Sequence, residues 1–206
     1  MNNHPVARIY RSVAFGLSSL RLIPHLILWR FSPNRDVIMQ DVRRWREAFL
    51  GHLSVGSDVE AFLVLMASLP EYRTLFYFRI GSLATPVKFL CPVMESLILV
   101  CPKLGPGLII QHGIATVIVA EEIGANCWIN QQVTLGISGS LPGFPTLGDN
   151  VRVSVGAKVL GGITVGSNSM IGANAVVMKN VPPNVTVVGV PGYIVRRDGV
   201  RVNEPL

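Results

Sequence analysis

The sequence predicts an α+β chain: an N-terminal helical part, then a parallel β-helix. Three observations point there. Eleven aliphatic residues stand six apart without a miss: Val117, Ile123, Ile129, Leu135, Leu141, Leu147, Val153, Val159, Val165, Ile171 and Val177. Gly148, Gly166 and Gly172 follow the aliphatic residue, and the small residues Ala157, Ser169 and Ala175 come four after it. Residues before about 104 lack this period and show helical spacing instead. A period of six fits neither a helix face nor an ordinary strand. It fits a solenoid with three flat faces per coil, one hexapeptide to a face, the sixth-position aliphatic at the axis and small residues at the crowded corners.

Taken in order, Val13 to Phe31 is apolar but interrupted by Arg21, Pro24, His25 and Arg30, and no small-residue cleavage site follows. It reads as an amphipathic helix, packed in the fold or lying on a membrane, and not as a signal peptide or a span. Asp36 through Leu50 spaces Val37, Val42, Trp45 and Phe49 as one helix face, with Arg43, Arg44 and Arg46 opposite. Ser57 or Asp58 can cap a helix that Pro70 ends, and another runs from Tyr72 towards Leu83. Prolines 86, 92 and 102 mark a short helix or connector. The expected organisation is therefore a helical domain over 1–103, a β-helix over 104–195 and a basic tail over 196–206. Leu104 and Ile110 keep the period, but Val117 comes seven after Ile110, so the phase slips by one around His112. Gly136 to Pro145 (GISGSLPGFP) reads as a loop projecting from the coil, which makes Leu141 a coincidental match to the period.

At 206 residues, half apolar and 15% charged, the chain is greasy for a soluble monomer; a stack of buried coils accounts for part of this, and trimer or membrane contacts for the rest. The net charge of +6 comes from a basic helical part (Arg8, Arg11, Arg21, Arg30, Arg35, Arg43, Arg44, Arg46) and the tail (Arg196, Arg197, Arg201). No nucleic-acid recognition motif accompanies it, so an anionic cofactor or anionic membrane surface is the better match. Cys91, Cys101 and Cys127 form an odd, unpatterned set, which argues against a disulfide framework and fits a reducing cytoplasm, with peripheral contact at the inner face of the membrane left open.

His112 is the one histidine in the solenoid; His4, His25 and His52 all lie earlier, so a three-histidine metal site has no ligands there. A neutral imidazole suits general-base work near neutral pH, and a slip in a regular coil is a natural place to present one. No serine elbow, P-loop or dinucleotide-binding glycine motif is present in the right setting.

The stretches QHG (111–113), QQVTLG (131–136), VRVSVGAKVLGGITV (151–165) and VVMKNVPPNVTVVGVPGYIV (176–195) resemble the serine acetyltransferase branch of the left-handed β-helix acyltransferases. FRIG (78–81) is similar to that family's Tyr-Arg-Ile stretch. The resemblance implies left-handed coils, a homotrimer or a dimer of trimers, and acetyl-CoA as acetyl donor. By position it implies His112 as the catalytic histidine, Gly136, Ile137 and Ser138 as the loop lining the thioester, and Val155, Gly156, Ala157 and Ala173 along the pantetheine arm. Lys179, Arg196 and Arg197 are candidates for the cofactor's phosphates, or else a solvated basic edge.

The departures fall on the acceptor side. Leu97 and Leu99 stand where the family has an aspartate and a histidine, Gln111 replaces the aspartate before the catalytic histidine, and Gly143 and Phe144 replace an Arg-His pair. Glu121 and Glu122 fall out of phase with the family's glutamate, and Asp58 aligns with its helical-domain aspartate only across a gap. Each lost charge-assisted contact is worth about 1.5–3 kcal/mol, so three losses would largely abolish serine affinity. Gln111, Phe144 and Asp58 are then the acceptor-binding candidates, and a Gln and a Phe beside the base suit a sugar. The chain also resembles family members found with capsule and exopolysaccharide genes. The sequence reading is an acetyl-CoA-dependent O-acetyltransferase acting on a glycan or other small-molecule acceptor, first of all a sugar hydroxyl in surface-polysaccharide assembly. Serine O-acetylation, N-acetylation of an amino sugar and a non-enzymatic trimeric scaffold are the alternatives.

Overall fold

The computed structural model describes residues 20–51, 53, 55–139 and 141–206. Of the helix expected over Val13 to Phe31, the part before residue 20 lies outside the described residues. Among the described residues four α-helices precede the coils: α1 (Ile23–Phe31), α2 (Arg35–Trp45), α3 (Asp58–Ser68) and α4 (Pro70–Ile80). Pro24 sits in the first turn of α1, where a missing N–H costs nothing, so it starts the helix and does not interrupt it. α2 runs on into a wider π turn over Arg46–Leu50. Ser57 caps α3, its Oγ accepting the Glu60 amide at 3.1 Å. Pro70 ends α3 and also opens α4, which Gly81 stops at φ 71°. A 3₁₀ stretch, Gly81–Leu90, follows where a continuation towards Leu83 was expected.

Five coils follow. They comprise β1 (Leu97–Val100), β2 (Lys103–Leu104) and β3 (Ile109–Gln111); β4 (Thr116–Val119), β5 (Glu122–Ile123) and β6 (Trp128–Asn130); β7 (Thr134–Gly136), β8 (Thr146–Leu147) and β9 (Arg152–Val153); β10 (Lys158–Leu160), β11 (Thr164–Val165) and β12 (Met170–Ile171); then β13 (Val176–Val177) and β14 (Val185–Val188). Every third strand pairs in parallel, giving a five-stranded sheet β1-β4-β7-β10-β13, a four-stranded sheet β2-β5-β8-β11 and a seven-stranded sheet that starts β3-β6-β9-β12-β14. The solenoid thus begins at Leu97 and not at Leu104. Its connector closes up early because Leu97 to Val100 pair residue for residue with Thr116 to Val119.

Ile123, Ile129, Leu135, Leu147, Val153, Val159, Val165, Ile171 and Val177 are each at most 1% exposed and form the axial stack. Each contributes roughly 1.5–3 kcal/mol by leaving water. Gly148 and Gly172 lie against the next coil: a Cβ would stand 2.8 Å from the Ser167 amide and 2.8 Å from Val188 Cγ1 respectively. Val117 is a correction. Ile118 is 0% exposed and registers with Leu135, while Val117 is only half-buried. The slip is therefore larger than expected, and it is absorbed by left-handed backbone at His112 (φ 65°), Gly113 (φ 49°) and Ala115 (φ 51°). Leu141 sits in the projecting loop.

The expected tail is also a correction. Residues 193–205 form β15 (Tyr193–Arg197) and β16 (Val200–Pro205), an antiparallel hairpin added to β14 around Asp198 (φ 50°) and Gly199 (φ 79°). A two-residue turn with both φ positive matches the strands' own twist.

The helical layer is keyed to the first coil. Arg79 of α4 donates to Asp41 Oδ2 (2.9 Å), to Leu104 O (2.6 Å) and to Gly105 O (2.6 Å), and the Gly107 amide donates to Asp41 Oδ1 (2.6 Å). Burial pushes the Asp41 carboxyl up, against the pull of the Arg79 guanidinium and the Gly107 amide. Trp45 Nε1 donates to Leu108 O at 2.7 Å, and its ring meets Tyr72 edge-on at 5.3 Å. Among the described residues, no helix is long and apolar enough to cross a membrane.

Candidate active site

The turns joining the seven-stranded sheet to the five-stranded sheet stack into one corner. His112 heads it, followed down the solenoid by Gln131 and Gln132, then Val155 and Gly156, then Ala173 and Asn174. Backbone bonds tie each step to the next: Gln132 N to Ile114 O (2.9 Å), Gly156 N to Gln131 O (3.1 Å) and Asn174 N to Val155 O (2.9 Å). The base candidate and three of the four residues expected along the pantetheine arm therefore share one edge. The Gly156 amide is spent in this ladder, and Ala157 is buried with its methyl inside the coil, leaving Val155, Gly156 and Ala173 at the surface. Gly156 is required at φ 71°, where a Cβ would strike Asn174 Oδ1. Lys158, which sequence reasoning passed over, donates Nζ to Gln132 O on the same edge at 2.5 Å.

His112 is exposed. Beside it, Gln111 Oε1 accepts from Trp128 Nε1 (3.1 Å) and Asn130 Nδ2 (2.9 Å). Phe49, carried on the π turn, lies 6.0 Å from the Trp128 ring, and Arg152 stacks over that ring at 5.0 Å. Trp128, Asn130 and Phe49 were not among the sequence candidates; only the six-residue register, which places Trp128 and Asn130 one coil below Ile109 and Gln111, could have found the first two. On the other side of the turn Gly113 packs against Glu71, Met94 and Leu97.

The loop candidates stand elsewhere in the chain. Gly136 ends β7, at the far end of the five-stranded sheet from the His112 corner; Gly136 is buried, Ile137 is 64% exposed and Phe144 40% exposed. Ser138 bridges Leu141 across the loop. One chain does not bring this loop onto its own His112. Asp58 lies in the helical layer, where Arg43 (2.9 Å) and Arg46 (3.1 Å) both bind its carboxylate. Arg197 is paired with Glu204 at 2.6 Å, Lys179 donates to Leu206 O at 2.7 Å, and Arg196 is exposed on β15. Glu122 pairs with Lys103 at 3.7 Å, away from the corner.

Residues 144–179 match the bacterial transferase hexapeptide (six repeats) family. The solenoid is a left-handed hexapeptide β-helix. Serine acetyltransferase of Staphylococcus aureus (strain Mu50 / ATCC 700699) is 51% identical over 105 residues, 50% of this chain and 49% of that protein. The chain thus spans about half the length of the curated relatives it matches. Among solved structures, serine acetyltransferase from Brucella abortus strain S19 in complex with coenzyme A matches the helical layer and hexapeptide β-helix together with a TM-score of 0.65 at 25% identity, over 84% of this chain and 72% of that one. The Neisseria gonorrhoeae serine acetyltransferase in complex with serine gives 0.61 at 27%, over 79% and 69%. These relatives favour the serine acetyltransferase branch over the polysaccharide branch expected from the sequence.

Proposed function

We propose that the protein is an acetyl-CoA-dependent serine O-acetyltransferase with His112 as general base. The observation that carries the reading is the corner, where an exposed histidine heads a stack of small, ladder-bonded turns. The relatives add support: one was solved with coenzyme A and another with serine. In this reading acetyl-CoA is a substrate whose arm runs past Val155, Gly156 and Ala173, with Lys158 supplying positive charge beside it. His112 takes the acceptor's hydroxyl proton, the oxygen attacks the thioester carbon, the carbon–sulfur bond breaks, and the imidazole returns the proton to the departing sulfur. Backbone N–H groups near Gly136 steady the oxyanion. Since that loop leaves the far end of the sheet, it belongs to a neighbouring chain of a homotrimer, closing a cleft over each His112.

A second reading, transfer to a sugar hydroxyl, is favoured by the acceptor side. Asp58 is paired with two arginines, and Gln111 offers a neutral amide beside His112. The exposed stripe Leu20, Ile23, Ile27 and Phe31 on and just before α1, with Arg30 against Phe31, would suit a membrane surface carrying such a glycan. The deciding experiment is thiol release from acetyl-CoA with L-serine or with polysaccharide precursors, each repeated with His112→Ala. Release that depends on serine and His112 upholds the first reading. Release with the glycan alone replaces it by the second, and release untouched by the substitution removes His112 from both.

A further inference from the structure

The first turn of α4 holds a carboxylate that the reading above leaves unused. Glu71 is 8% exposed, and its Oε2 is buried with no hydrogen-bond partner. Such a group is costly and calls for a function. The cations on its own helix are engaged elsewhere: Arg73 binds Met66 O, Ala67 O and Pro92 O, and Arg79 binds Asp41. Its aliphatic stem lies against the turn that carries His112. A Cβ built on Gly113 would stand 2.8 Å from Glu71 Cγ, 2.9 Å from Met94 Sδ and 3.3 Å from Leu97 Cδ2.

That contact places Glu71 directly beside the His112 turn. With a carbon–carbon bond of about 1.5 Å and adjacent Cα atoms about 3.8 Å apart, Glu71 Cγ lies no more than about 8 Å from His112 Cα. This is within the joint reach of an imidazole and a carboxylate. No hydrogen bond joins them with His112 turned outward, so the contact requires the exposed imidazole to swing about its own side-chain bonds towards α4. α4 is itself fixed at its other end by Arg79 on the first coil, so the carboxylate is held at a set distance from the turn.

We propose that Glu71 is a positioning residue for His112: its carboxylate accepts one ring N–H and leaves the other nitrogen unprotonated as the base. Leu97 brings no charge to this spot, and Glu71 reaches it from the helical layer. The proposal rests on His112 being the base, yet its first readout needs no turnover. Nitrogen-15 shifts of the imidazoles report which nitrogen holds the proton, and the chain has four histidines, so His112 is assigned by its loss in His112→Gln. In the full-length protein, Glu71→Gln should change the His112 tautomer ratio at least twofold and leave the other signals in place. Glu71→Met, which removes the unpartnered Oε2, should do the same while folding at least as well, which keeps the test open if the glutamine variant is unstable.

In the acetyl-CoA assay, Glu71→Gln should lower kcat at least about tenfold with little change in either KM. Adding Leu97→Asp, whose side chain abuts the same point, should restore part of it. An unchanged His112 tautomer in both variants overturns the proposal whatever the activity. A rise confined to the acceptor KM also overturns it, by making Glu71 an acceptor contact. A shifted tautomer in a chain with no transferase activity upholds the Glu71–His112 contact and counts against the catalytic reading alone.

Discussion

Replacing Asp41 by alanine is expected to loosen the whole helical layer from the solenoid. The side chains of Arg79 and Asp41 are 6% and 2% exposed and joined at 2.9 Å. Removing Asp41 leaves the Arg79 guanidinium buried with only the carbonyls of Leu104 and Gly105, and it strips the Gly107 amide of its acceptor. Breaking a buried pair from one side costs about 3–5 kcal/mol, and an orphaned buried amide about 1–3. The two overlap, since one carboxylate serves both, so about 4 kcal/mol is the working figure. For a chain of this length that corresponds to a fall in Tm of about 10 °C. Thermal melts and guanidinium titrations of Asp41→Ala, Arg79→Met and the double variant supply the check. The double variant should lose less than the two single losses combined, by about 2 kcal/mol or more. Single losses under about 1 kcal/mol, or strict additivity, would refute the idea that this pair keys the two layers together.

Three further outcomes are expected. Leu135→Ala, at an axial position with 0% exposure, should cost about 2–5 kcal/mol in guanidinium titration, whereas Val117→Ala should cost clearly less because Val117 is off the axis. His25 is fully buried against the Tyr77 hydroxyl (2.7 Å), and burial lowers its pKa below 6.5. The unfolded chain therefore binds a proton that the folded chain resists, so stability is whole above pH 6.5 and declines as pH falls towards the depressed value. Melts from pH 7.5 to 5 should show that slope, and His25→Gln should flatten it. Finally, burial pushes the Cys127 thiol up to about 12 and raises Cys91 and Cys101 too. A thiol reagent at pH 8 should leave all three unmodified until denaturant is added; rapid labelling of the native protein would contradict their burial.

The solenoid was legible because its rule is local: one aliphatic residue in six must face the axis, and the sequence obeys it from Ile123 onwards. At the slip the rule lost its grip, since Val117 and Ile118 are both aliphatic and only pairing with Leu135 tells them apart. The terminal hairpin had a local signal in Asp198-Gly199, but the neighbouring arginines read as a solvated tail. The candidate base was legible because histidine is scarce in the coils. Its surroundings were not: Phe49 meets Trp128 and Glu71 meets Gly113 across long stretches of sequence, through packing of α4 and the π turn that no six-residue pattern encodes. Asp58 looked available for the same reason, its two arginines lying 15 and 12 residues back.

The hairpin of β15 and β16 has one more effect. A stack of parallel coils ends in a row of unpaired backbone groups, a template on which a second molecule could continue the stack without limit. Here the seven-stranded sheet turns antiparallel after β14 and ends on β16, a strand bearing Arg201, Glu204 and Pro205, charged and proline-tipped in the manner of a blunted edge. At the opposite end α2 and α4 pack against β3, where Ile109 is 0% exposed. On this face of the solenoid the C-terminal end therefore offers no open parallel edge, and a chain cut after Val195, which removes most of the hairpin, should aggregate more readily than the uncut one in size-exclusion chromatography.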